Sequence, residues 1–166
     1  MQWRREGDIL PFPPEKMRKT VFIIIFLIIT ARLSFAGGLS TTFGEVVVDD
    51  LAVGKAYSMK NDAKFPLSIK NTSSQTVSLL LEVLYPEKSE LKKGYEAIPD
   101  VSWIKLEQNS FEVAPEASAT TDVIISVPDK KKYSGMKYQV YIWSHTIGKA
   151  IGVGLKSKLL LTVRDK

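Results

Sequence analysis

Apolar and polar residues alternate with a period of two through most of residues 45–164, the mark of extended strands with one buried face. Val77, Leu79, Leu81 and Val83 form one apolar set, with Ser78, Leu80, Glu82 and Leu84 on the opposite side and Pro86 closing the run. Further along, Tyr138, Val140, Ile142 and Ser144 share a face, and Gln139, Tyr141, Trp143 and His145 share the other. In the last run, Val153, Leu155, Ser157, Leu159, Leu161 and Val163 face one way, and Gly154, Lys156, Lys158, Leu160, Thr162 and Arg164 the other. Shorter runs fall at 45–59 (around Asp49-Asp50), 65–69, 103–106, 111–113 and 123–127. Turn clusters at Asn71-Thr72-Ser73-Ser74, Ala114 to Ser118 and Pro128-Asp129 separate them. The 45–166 region shows no long 3.6-residue period, so the pattern predicts an all-β sandwich of about seven to eight strands.

Two segments break the alternation. Residues 37–44 (GGLSTTFG) are small and polar and read as a flexible leader. Residues 86–102 (PEKSELKKGYEAIPDVS) read as a long polar connection with one helical turn near Glu87 to Lys93. Trp103, just beyond it, is expected to pack in the core.

The N-terminal pattern is different. Met17-Arg18-Lys19-Thr20 is a basic start, Val21 to Thr30 is an unbroken apolar run, and Ser34-Phe35-Ala36 supplies small residues for cleavage before Gly37. The expectation is an export signal within residues 1–36, with translation starting at Met17 and cleavage between Ala36 and Gly37. An uncleaved anchor is the competing reading, but a span needs about 20 apolar residues and Arg32 interrupts this stretch. No stable membrane span is therefore expected after cleavage, and the product is placed in the periplasm or outside the cell.

Composition narrows the function. The formal net charge is +5, but the first 36 residues carry six Lys/Arg against three Asp/Glu, leaving +2 on the rest. That surface gives no support for nucleic-acid binding. The chain has no cysteine, which excludes disulfides, thiol chemistry and a lipid-modified leader. Its single histidine, His145, has no ligand-spaced companions, so neither a metal site nor a cofactor is expected. Ser89-Glu-Leu-Lys92 and Ser134-Gly-Met-Lys137 match a Ser-x-x-Lys pattern without its companion motifs, and Gly148-Lys149 lacks a phosphate loop's spacing. No catalytic residue is assigned. Asp49, Asp50 and Asp62 read as solvated turn acids, and Asn71-Thr72-Ser73 is a formal glycosylation sequon.

Three segments carry a resemblance: FPLSIKNTSSQTVSLLLEVLYP (65–86), SWIKLEQNSFEVAPEASATTDVIISVP (102–128) and KKYSGMKYQVYIWS (131–144). Strand, Asn-Thr-Ser turn and strand, then a proline-glutamate turn, then a Tyr-x-Gly turn into an aromatic strand, resemble bacterial immunoglobulin-like envelope domains. The arrangement is similar to the pilus-chaperone N-terminal domain, to the major-sperm-protein group and to the N-terminal module of WxL-interacting proteins. The resemblance implies an immunoglobulin-like sandwich without catalysis that binds peptides, subunits or cell-wall polymers. It also puts Tyr138 at the place of a tyrosine corner.

If the strands around 80, 141 and 158 are neighbours in such a sheet, their outer face carries Leu80, Leu84, Tyr141, Trp143 and Leu160, bordered by Glu82, Lys156 and Lys158. Exposed apolar area rich in Tyr and Trp marks a contact surface. These residues, with Lys156 and Lys158, are the candidate partner-binding set, unless the leader or the 86–102 connection folds over them. The expected partner is an envelope protein. The alternatives are a cell-wall polymer bound by a carbohydrate-binding module, or a pilus subunit held by an assembly chaperone.

Overall fold

A computed structural model describes residues 38–148 and 152–165. The expected signal region, with Met17, Ala36 and Gly37, lies outside the described residues.

The described chain is all-β. One sheet runs β2 (Glu45–Leu51), β12 (Gly154–Val163), β11 (Lys137–Ile147), β5 (Val77–Leu84), β8 (Ser110–Val113), with β6 (Glu96–Ala97) beside the start of β11. Opposite it stand β1 (Leu39–Thr41), β4 (Leu67–Asn71) and β9 (Ser118–Thr121), and a further set of β3 (Ala56–Ser58), β10 (Val123–Ser126) and β7 (Ile104–Leu106). One buried apolar cluster joins the layers. It takes Leu79 and Leu81 from β5, Val140 and Ile142 from β11, and Leu159 and Leu161 from β12. Leu67 and Ile69 of β4 and Val123 and Ile125 of β10 meet them from the other side. In β5, β11 and β12 these are positions that the alternation set on one face, so period-two patterning places that side of the core directly.

The expected seven to eight strands become twelve among the described residues: the 45–59 run divides into β2 and β3, β9 precedes the 123–127 run, and β1 and β6 form in the segments read as leader and connection. β9 and β10 are one extended run interrupted at Asp122, which is buried. Its carboxylate accepts from the Ser58 hydroxyl (2.5 Å) and the Lys60 N–H (2.9 Å), so the acid is consumed in tying the 58–61 turn to the sheet.

The 38–44 segment departs from the flexible leader expected of it. β1 pairs antiparallel with β4, and the Gly38 and Thr72 backbones are joined by Thr72 N–H to Gly38 C=O at 2.9 Å. Phe43 is fully buried and stacks on Phe65 at 5.6 Å. The aromatic ring supplies the anchoring free energy that a run of small polar residues conceals. After Phe43 the chain crosses to the other layer, where β2 pairs in parallel with β12.

Candidate functional site

β12, β11 and β5 are adjacent in that order, as the face assignment requires. Register sets Tyr141 opposite Leu84 and Lys158, Trp143 opposite Glu82 and Lys156, and His145 opposite Leu80 and Gly154. The outer face so formed has an open half and a covered half.

The open half centres on Trp143, which remains 37% exposed. Its indole stacks on the His145 imidazole, with centroids 4.2 Å apart, and His145 Nε2 lies 2.8 Å from a Glu82 carboxylate oxygen. The indole leans across to β12 because Gly154 has no side chain: a Cβ there would sit 2.5 Å from Trp143 Nε1. Ile147 is exposed on the same face, and Leu80 and Leu84 are half-buried beside it.

In the covered half Tyr141 and Leu160 do not stand out to solvent, and of the two alternatives the sequence left open it is the cover that holds there. Tyr141 is 6% exposed and Leu160 is fully buried, and neither belongs to the main core cluster. The 86–102 connection folds over them. It makes the expected short turn, a 3-10 turn at Lys88–Glu90, then crosses the face and joins β11 through β6. Gln139, buried on the same face, takes the Lys92 N–H on its Oε1 (2.8 Å) and donates Nε2 to the Glu90 carbonyl (2.9 Å). A polar residue on an outward position is thereby buried with its amide satisfied.

The two candidate lysines hold this cover. Lys156 Nζ lies 2.8 Å from a Glu90 oxygen and 4.9 Å from the Tyr141 ring centroid. Lys158 Nζ is 3.1 Å from Glu45, whose other oxygen is 2.6 Å from Lys92 Nζ. Hydrogen bonds from Lys92 and Lys158 hold the Glu45 carboxyl below the usual range, and Lys156 with the Glu87 backbone does so for Glu90.

Trp103 is buried as expected, but it closes a 3-10 turn (Val101–Trp103), not a strand. It meets Tyr133 (4.8 Å) and Tyr138 (5.6 Å) edge-on. Tyr138 therefore serves as a packing ring, and burial raises its phenol pKa. Asn71 is fully buried, with its side-chain amide donating to the Gln75, Val113 and Ala114 carbonyls, so the sequon is inaccessible in the fold. Asp50 is clasped by Arg164 at 2.6 Å, and Asp62 accepts the Ser58 N–H. Among the described residues no cluster of three His, Cys, Asp or Glu is placed to hold a metal ion, and no helix is long and apolar enough to cross a membrane.

Sequence reasoning missed Gln139, Glu45 and Lys92. A glutamine breaking an aromatic face was the only signal available for the first.

No protein-family model and no curated protein matches the chain. Its structure is similar to the seventh PapD-like domain of human CEP192, with a TM-score of 0.56 and 9% identity over 77% of this chain and 86% of that one. It is also similar to the class 5 fimbriae chaperone CfaA, with a TM-score of 0.51 and 6% identity over 78% of this chain. A third likeness is to a putative carbohydrate-binding protein from Bacteroides ovatus, with a TM-score of 0.51 and 14% identity over 77% of this chain. The match spans 57% of the fimbrial chaperone and 37% of the Bacteroides protein. At these identities the likeness concerns the fold alone: this chain has an immunoglobulin-like β-sandwich fold.

Proposed function

We propose that the chain is an exported, non-catalytic immunoglobulin-like module that binds a protein partner at the cell envelope through the open half of its β5–β11–β12 face. The observation that carries this reading is Trp143: a large ring left part-exposed on a regular strand, flanked by exposed Ile147 and half-buried Leu80 and Leu84. Aromatic anchors of this kind supply most of the free energy at protein interfaces. Export rests on the N-terminal pattern, and the fold, shared with a fimbrial chaperone, suits a binding role.

The test is capture from envelope extract by the full, exported chain with a C-terminal tag, beside Trp143→Ala. Loss of a hot-spot ring reduces affinity by roughly 30-fold or more. At least one protein band is expected to vanish with the variant, from a purified chain that starts at Gly37. Equal recovery of every band defeats the reading. Glu82 and His145 beside the indole favour a second reading, a neutral glycan stacked on the ring. In that case soluble cell-wall glycan quenches Trp143 fluorescence, and protein capture is indifferent to the substitution.

A further inference from the structure

The cover over the second half of the face is built unlike the rest of the fold. Pro86 and Ile98 are buried and fix its two ends, yet none of residues 87–97 between them is itself buried. The side chains it hides, Tyr141, Leu160 and Gln139, all belong to the sheet. The segment turns on Gly94, at φ +85° with open space around it, closed by a Tyr95 N–H to Lys92 C=O hydrogen bond of 3.0 Å. Leu91, Tyr95 and Ala97 are partly buried. Its directional attachments are the Gln139 amide clamp, the two-residue β6 bridge, the Lys137 ammonium 6.0 Å from the Tyr95 ring centroid, and the pairs Lys92–Glu45 and Lys156–Glu90, in which both lysine side chains are close to half exposed. Such pairs are weak and screened by salt.

Beneath the cover lies a continuation of the open half. Tyr141 neighbours Leu84, and Leu160 neighbours Val47, which is half exposed on β2. Lifting 87–97 therefore extends one apolar band from β5 across β11 and β12 to β2. Gln139 loses nothing on opening, because water replaces its two backbone partners.

We propose that residues 87–97 are a displaceable strap, hinged at Pro86 and Ile98 and latched by Lys92–Glu45 and Lys156–Glu90, which hides half of the docking face and exposes Tyr141 and Leu160 when the latches are released. The opening is a property of this chain, whereas its value for binding rests on the docking reading above. Local opening of a segment with little buried area of its own needs no unfolding of the sheet beneath.

Hydrogen–deuterium exchange on the full chain tests it. In Lys92→Gln/Lys156→Gln, and in the unmodified protein at 0.5 M against low salt, the Lys92 amide, which the Gln139 side chain holds, exchanges about three- to tenfold faster. The Ile142 and Leu159 amides keep their rate. A Lys70→Gln control, which breaks the distant Lys70–Glu116 pair, leaves the strap unchanged. The proposal is overturned if neither salt nor the double variant accelerates the strap, if the strap and the core strands accelerate together, or if the control accelerates it equally. Should the double variant fail to fold, the salt comparison decides. An unresponsive strap in a chain whose capture depends on Trp143 removes the strap alone, while a responsive strap with capture indifferent to Trp143 removes the docking reading alone.

Discussion

Gly154 is what lets Trp143 lie against β12. A methyl there would meet the indole at 2.5 Å and the His145 Cβ at 3.2 Å, so the ring has to swing away and give up its stack on the imidazole. The clashing atom is the far end of a movable side chain, and alanine also reduces the backbone entropy lost on folding. Gly154→Ala is therefore expected to change stability by no more than about 1 kcal/mol. The proposed docking face should suffer more than the fold. The Trp143 indole resonance shifts, and Trp143-dependent capture falls, while the urea midpoint stays close to that of the unmodified chain. A capture level unchanged by a displaced indole would separate the ring's position from binding. This residue also shows the limit of pattern reading. Position 154 is glycine on a face that carries lysines and a leucine, and only the cross-strand register reveals that its emptiness is filled from β11.

At the scale of elements, the long central strands were legible because burial on one face enforces a period of two, and β5, β11 and β12 obey it on their inner side. Val140, Ile142, Leu159 and Leu161 are fully buried where alternation puts them. Alternation says which side a residue faces and nothing about what lies on that side. Tyr141 and Leu160 do face outward, and a connection of polar residues, which buries none of its own side chains between 87 and 97, still covers them. β1 was illegible for a related reason: its hold comes from the distant β4 and from Phe43 two residues beyond it, not from any period of its own. Within the legible strands, two inward positions break the rule. Ser144 and Ser157 are fully buried on the core face of β11 and β12, and their hydroxyls have no hydrogen-bond partner. A buried unpaired hydroxyl costs more than the small gap left by its removal. Ser157→Ala is expected to stabilise the domain by about 1 kcal/mol, read as a rise in Tm of roughly 3–6 °C. A fall in Tm would mean that the hydroxyl is satisfied in solution.

Across the whole molecule, one side of the sandwich is held by charge. Glu45 and Asp50 stand on β2 and Glu90 in the 87–97 segment, and their partners are Lys156 and Lys158 on β12, Arg164 just past its end, and Lys92 in that segment. Each of these carboxyls is held below its ordinary value, 4.5 for Glu and 3.8 for Asp, chiefly by the side-chain hydrogen bond from its cationic partner. A folded-state value below the unfolded one means that the unfolded chain binds more protons between the two. The contribution to stability is then complete above pH 4.5 and is lost as pH falls through the lowered folded values. Urea midpoints should therefore be level from pH 7 to pH 5 and should drop progressively at pH 4 and pH 3. High salt at pH 7 should mimic only part of that drop, because screening weakens the pairs without protonating them. Since the lysines that lose their partners at low pH include both latches, acid should also bring Tyr141 and Leu160 to the surface before the core unfolds. Binding of an apolar dye at pH 3.5, below the unfolding transition in urea, is the expected sign. A midpoint that is flat down to pH 3 would show that these pairs position the strap without stabilising the fold.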